Sequence, residues 1–306
     1  MMPETLLPAS AHPVLPRLVA RLFGWKAYHP PDELELPYGF VDTGREVFSL
    51  PHFNHAAGPI VPYTTLADKL QALQEHLRKP VGLRLSAGDS AISASKVVSL
   101  LRLDRQACPE LLLHGSLARK IRAAHSRGVT VEQQGSDGLK AFMAIYERRL
   151  HQLGSANLPL RFFDALMQSY PDKALDAGAM LHIARYQGRC VGAAFSLRFG
   201  QWFENGWFAT DISQPALYVA YALHDAMIRD ALASGATIYS FGRSSPGSGV
   251  HRFKQLWGTS DLYIAQYSIP PKRHDWRNYP WLHNIWKKVP LPLARPFNNN
   301  IAKWMY

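Results

Sequence analysis

The chemically capable residues of this chain concentrate between Tyr239 and Gly258, in YSFGRSSPGSGVHRFKQLWG. A strand-like run, Thr237 to Phe241, breaks into Gly242, Arg243, two serines, Pro246, Gly247, Ser248 and Gly249, and a helix-like run follows, stopped by Gly258. A glycine-rich turn between strand and helix exposes backbone N–H groups, and the helix start adds partial positive charge, so the pattern suits an anion. Arg243 adds a fork of donors matched to phosphate or carboxylate. Ser248 is of a type that caps helices. Val250, Phe253 and Trp257 share one helical face, and His251 and Lys254 a neighbouring one, so Lys254 is expected to project beside the turn rather than into the core. The candidate anion-binding set is Arg243, Ser244, Gly247, Ser248, Gly249, His251 and Lys254. The plainer alternative is a glycine-rich connection whose Arg243 makes a surface ion pair.

Known phosphate loops fit incompletely. A Walker-type loop needs lysine after its second glycine, where Ser248 stands, and no G-x-G-x-x-G is present. An R-x-x-G-x-G loop for acetyl-CoA has the right residue types in Arg243, Gly247 and Gly249, with one residue too many after the arginine. Two carboxylates, Glu204 and Asp211, flank the end of a strand-like run and are the candidate proton acceptors; Asp211 also reads as a helix-start residue. His251 reads equally as a surface histidine, and His224, among apolar neighbours, as a core histidine. Arg148 and Arg149 end an amphipathic helix and read as solvated. Arg119, Lys120 and Arg122 suit either a phosphate backbone or water. No G-x-S-x-G elbow occurs, and Cys190 sits in an apolar strand as a small core residue. Two cysteines form neither a disulfide framework nor a zinc motif, so no metal is expected.

The elements that must position these groups are partly legible. Residues 1–35 are proline-rich and read as irregular. Strand-like LPYGFVD and EVFSLPHF lead to a helix over LADKLQALQEHLRK behind Thr64 and Thr65, then to the strand VGLRLS. In LLLHGSLARKIRAAHSRGVTVEQ, Leu117, Ile121 and Ala124 mark a helix face and Gly128 stops the helix before a strand. LKAFMAIYERRLHQL is apolar at helical spacing. A meander follows, turning at Gln187–Gly188 and at Gly200. The helix ALYVAYALHDAMIRDALAS is apolar nearly all round, so it should be buried, and TIYSF returns to the opening turn. This order predicts an α/β fold in which helices flank mixed sheets.

The chain has 306 residues, 47% of them hydrophobic, and a formal net charge of +11. Such length serves one large or two ordinary domains, and such composition excludes disorder. The charge implies an anionic partner: nucleic acid, a phosphate-bearing ligand or anionic lipid. No secretory-signal pattern and no run of roughly 20 apolar residues appears, so a cytoplasmic location is expected. Residues 271–306 hold seven Lys/Arg against Asp275 alone, with Trp276, Trp281, Trp286 and Trp304. Tryptophan with basic residues suits the inner face of an anionic membrane. The alternative is that the tryptophans pack on the body, since Pro280, Pro290, Pro292 and Pro296 prevent one long amphipathic helix.

FGRSSPGSGVHRFKQLWG resembles the late signature of the FemAB-like (Fem-type) N-acyltransferases, roughly DFGRS, a glycine-rich turn and FKxxWG. Phe241 to Ser244, Phe253, Lys254, Trp257 and Gly258 match; Ser240 stands where the family usually has Asp. FNHAAGP, LARKIRAAHSRGVTVE and the basic tail are similar too, most closely to bacterial members associated with exosortase/PEP-CTERM and exopolysaccharide systems. The resemblance implies tandem GNAT-like lobes, 1–128 and 129–270, meeting near residues 125–135, with a basic aromatic tail over 271–306. It implies an amine attacking an activated carbonyl, with acyl-CoA or aminoacyl-tRNA as co-substrate and a cell-envelope or exopolysaccharide precursor, phosphate-bearing or lipid-linked, as acceptor. A tRNA-dependent aminoacyltransferase acting on a peptidoglycan precursor and a non-catalytic, membrane-associated member remain as alternatives, Ser240 favouring the last.

Overall fold

The computed structural model describes residues 7–34, 36, 39–50, 66–87, 96–103, 115–270 and 280–305. The FNHAAGP motif and Pro271 to Tyr279 lie outside them. Among the described residues, eleven strands form a single mixed sheet in the order β1-β2-β3-β4-β11-β5-β10-β9-β8-β7-β6. These are β1 (Lys26–Tyr28), β2 (Phe40–Asp42), β3 (Val47–Ser49), β4 (Val81–Ala87), β5 (Lys96–Arg102), β6 (Thr130–Gln134), β7 (Ala177–Tyr186), β8 (Arg189–Phe199), β9 (Trp202–Thr210), β10 (Ile238–Ser244) and β11 (Ser260–Ile269). The expected mixed α/β architecture is thus present, with the sheets of the two halves joined.

The sequence reading placed the meeting of the two lobes near residues 125–135. β6, near residues 125–135, lies at the far edge. The halves meet by exchange: β5 of the first pairs with β10 and β11 of the second, and β11 also pairs with β4. The meander is as expected, with φ of 49° at Gln187 and 75° at Gly188, both left-handed as a tight β-hairpin requires.

Helices cover both faces. On one lie α1 (Val14–Phe23), α4 (Leu139–Leu153) and α5 (Leu160–Ser169), whose apolar faces form one core with β7, β8 and β9. In α4 the buried Leu139, Phe142, Ile145 and Tyr146 follow helical spacing. On the other lie α3 (Gly115–Ser126) and α6 (Val219–Ala233), which enclose Phe203, Tyr239, Phe241 and Trp257. Helix α6 buries Val219, Leu223, Met227 and Ile228 among others, as its all-round apolarity predicts. Helix α2 (Leu66–Leu77) packs Leu70 and Leu73 against Val81 and Leu83.

Four short helices remain among the described residues. These are α7 (Gly249–Gln255), α8 (Pro280–Lys288), α9 (Leu291–Ala294) and α10 (Asn298–Met305). The tail belongs to the body: Ala294 and Ala302 are fully buried, Asn298 donates to Asn157, and Lys303 donates to the Phe23 carbonyl at 2.9 Å.

Candidate active site

Strands β9 and β10 run parallel and pair at three registers only, Ile238 with Trp202, Tyr239 with Phe203 and Ser240 with Glu204. Beyond Ser240 they part, β9 staying on β8 and β10 on β5. Each strand carries an extra residue just past the fork. Trp207 faces Phe195 but Asn205 faces Ser196, so Gly206 is extra in β9. Arg243 faces Val98 but Ser240 faces Leu100, and Gly242 takes a φ of 72° in that bulge. Such bulges bend a strand and re-aim its side chains.

A hydrogen-bonded brace closes the apex. The Ser240 hydroxyl donates to Glu204 Oε1 at 2.8 Å, Trp202 Nε1–H donates to Oε2 at 2.7 Å, and the Gly242 N–H donates to Ser240 Oγ at 3.2 Å. Glu204 is wholly buried. Between the diverging arms opens a cleft of about 720 Å³. Both arms present an orphaned buried oxygen, Asn205 Oδ1 from β9 and Ser244 Oγ from β10, each without a protein partner. Buried polar atoms of this kind are uncommon unless something else satisfies them.

The lining is cationic. Lys96, Arg149, Arg243 and Lys254 reach the cleft and, among the described residues, no carboxylate does. Lys254 corrects the sequence expectation: it is only 5% exposed, because α7 folds back over β10 and aims the side chain at the bulge. Its Nζ donates to the carbonyls of Gly242 at 2.7 Å and Arg243 at 3.1 Å. Burial pulls its pKa down to about 7, against the opposing charges of Glu204 and Asp261.

His251 is buried rather than a surface histidine. Its Nδ1 accepts the Gly247 N–H at 3.0 Å, which leaves Nε2–H to donate to Asp261 Oδ2 at 2.7 Å. Ser99 donates to the other oxygen of Asp261 at 2.8 Å. The histidine therefore staples the turn to β11 and β5, and the Gly247 amide is spent on it. Ser248 caps α7 as expected, accepting from the His251 N–H at 3.1 Å. Gly249, Ser244 and Arg243 line the cleft; Gly247, Ser248 and His251 stand behind it. Of the apolar stripe, Trp257 is fully buried, Phe253 lies against the core and Val250 is exposed at the cleft rim.

Neither candidate carboxylate lines the cleft. Asp211 follows β9 and accepts the Ser213 N–H at 2.9 Å, and its hydrogen bonds to Ser213 hold its pKa below the usual range. Glu204 is committed to the apex brace. His224 is the core histidine of the alternative reading and also a lining residue. Its Nδ1 bonds the Tyr239 hydroxyl at 2.8 Å, its ring stacks on Phe208, and burial lowers its pKa to about 3, so it stays neutral. Lys120 of the basic helix α3 donates to the Tyr221 hydroxyl at 2.9 Å, away from the cleft.

Sequence reading missed Lys96, Arg149 and Asn205. Lys96 comes from β5, whose Lys96 Nζ donates to Ser245 Oγ at 2.6 Å across 149 positions. Arg149 looks solvated by helical periodicity alone, and Asn205 carries no local signal beyond the glycine after it.

Residues 114–255 match the family model described as Acetyltransferase (GNAT) domain. Solved structures with the same fold include FemX, at 13% identity and a TM-score of 0.56, covering 81% of this chain and 89% of that one. The C-terminal domain of a putative lysylphosphatidylglycerol synthetase from Agrobacterium fabrum aligns at 10% identity and TM-score 0.55, covering 81% and 85%. L-PGS from Bacillus licheniformis aligns at 11% and 0.54, covering 89% and 91%. No curated protein matches the sequence. The fold is therefore that of these proteins, and residues 114–255 are similar to the GNAT acetyltransferase domain.

Proposed function

We propose that the protein transfers an acyl group from acyl-CoA, or a related activated donor, to an amine on an anionic cell-envelope or exopolysaccharide precursor. The forked, cationic cleft carries this reading. Past the fork the facing edges of β9 and β10 no longer pair with each other, so an extended amide-bearing chain, such as the pantetheine arm of coenzyme A, can add to one of them as a strand does. Lys96, Arg149 and Arg243 suit the phosphates of donor or acceptor.

In the transfer the amine nitrogen attacks the thioester carbonyl carbon. The new N–C bond forms, the C–S bond breaks, and the departing sulfur takes up the proton that the amine releases. Lys254 is held by two carbonyls, so its third N–H can be offered to the cleft, where a fixed donor stabilises the developing oxyanion. Its pKa of about 7 also lets it exchange a proton near neutrality, which Asp211 and the stapled His251 are poorly placed to do.

The +11 charge and the resemblance to the Fem-type signature keep aminoacyl-tRNA as a second donor. Labelled acetyl-CoA binding, a gel shift with charged tRNA, and release of the coenzyme A thiol on addition of amines decide between them. Acetyl-CoA should bind, and Arg243→Gln should weaken it about tenfold, the loss of one charged hydrogen bond. A shift by charged tRNA alone would make the aminoacyl group the cargo. Binding of neither would leave a non-catalytic member.

A further inference from the structure

We propose that the outward face of α8, Trp281, Ile285 and Lys288, is a docking surface for an anionic phospholipid bilayer at the mouth of the cleft. This goes beyond the acyltransferase reading and does not depend on it.

The orientation of α8 is set by its inner side. His283 Nδ1–H donates to the Gly154 carbonyl at 3.0 Å and Trp286 Nε1–H to that of Ser155 at 3.3 Å. The approach is close enough that a side chain at Gly154 would meet the His283 carbonyl at 2.8 Å. With 100° per residue, Trp281, Ile285 and Lys288 then fall together on the opposite side. Trp281 is 57% exposed and Ile285 is 54% exposed, and Lys288 is exposed beside them; Lys287, also exposed, follows on the flank of the helix nearer Gly154. An apolar stripe with a tryptophan, edged by a lysine and with a second on the helix flank, is the pattern of a helix that lies in a membrane interface.

Two observations select a bilayer over a protein partner. The stripe is one helix wide, far short of the roughly 800 Å² per side that a stable protein interface needs, whereas shallow insertion needs no more. The surroundings are complementary to an anionic surface: the chain carries +11, and among the described residues no carboxylate lines the adjoining cleft. His283 lines that cleft from the same helix, and the exposed Leu153 and Val250 stand at its rim, so docking brings the cleft mouth to the lipid.

The full chain is sedimented with vesicles of phosphatidylcholine alone or mixed with phosphatidylglycerol, at low and high salt. It should partition onto the anionic vesicles, less so at high salt, and not onto the neutral ones. Trp281→Ser with Ile285→Ser, and separately Lys287→Gln with Lys288→Gln, should each lower the partition coefficient about tenfold. Their melting temperatures should stay unchanged, since these side chains are exposed. Acyl-CoA binding measured without vesicles should be untouched by the first pair, so failure here is distinct from failure of the acyltransferase reading. Absence of binding to anionic vesicles, or wild-type partitioning by both double variants, overturns the proposal. So does a dimer in solution that Trp281→Ser with Ile285→Ser abolishes, which would assign the face to a second copy.

Discussion

Lys254 holds its ammonium against two backbone carbonyls with almost no water, and burial depresses its pKa from 10.5 to about 7. Between those values the unfolded chain binds a proton that the folded protein does not, so the free energy of unfolding rises with pH across that window. Below about pH 7 both states are protonated and the cost of burying the charge is fully present. Wild type should therefore gain stability, on the order of a few kcal/mol, between pH 7 and 10, and Lys254→Met should lack that gain. Urea unfolding at stepped pH checks it. Parallel curves for the two proteins would mean that the lysine titrates normally. Ser240 is the second residue-scale test. Its hydroxyl donates to the buried Glu204, so Ser240→Asp would set two carboxylates against each other at the apex. A loss of about 3–5 kcal/mol by thermal or denaturant melting is expected for an uncompensated buried charge. An Asp variant as stable as wild type would instead show that Lys254 balances both. The departure from the aspartate of the Fem-type signature that the segment resembles is thus tied to a glutamate in the neighbouring strand, a pairing invisible along the chain.

At the scale of elements, the fork depends on Gly242, whose φ of 72° turns its carbonyl toward Lys254. Gly242→Ala should cost about 1–2 kcal/mol for a left-handed conformation and should weaken acyl-CoA binding as well, because the lysine loses its anchor. Gly200→Ala, with a φ of 54° in a distant hairpin, should lose stability without losing affinity. Equal affinity losses in both would place the effect in the sheet as a whole. Most helices and the meander could be read locally, since apolar spacing and turn residues lie next to one another. Helix α1 could not: Pro13 and Pro16 mark irregular chain, yet a proline in the first helical turn loses no hydrogen bond. Strand β5 was also missed, because both partners that make KVVSLLR a central strand come from the other half.

For the whole molecule, the tail is where composition misleads most. Its tryptophans and lysines suggest an appendage whose removal would leave the fold intact. Instead Ala302 is buried in the main core, Arg295 bonds Glu147 at 3.0 Å, and Lys303 reaches the Phe23 carbonyl. Truncation after Pro270 should therefore lower the melting temperature by at least several degrees, corresponding to a few kcal/mol of lost packing and hydrogen bonds. Calorimetry of the truncated chain checks this. An unchanged transition would return the tail to the status of a separate arm.

Residue types and local spacing determined the α/β class, the capped turn after β10, the buried α6, and the excess of positive charge. The FGRS and FKxxWG segments also carried the resemblance to the Fem-type signature. Only tertiary structure decided where the cleft lies and what lines it. Lys96, Arg149, Asn205 and Lys254 converge there from β5, α4, β9 and α7. The same convergence turned His251 from a ligand candidate into a staple through Asp261. The physical reason is that a pKa, an orphaned oxygen or a fork in a sheet is set by neighbours in space. Strand exchange between the two halves makes those neighbours remote in sequence.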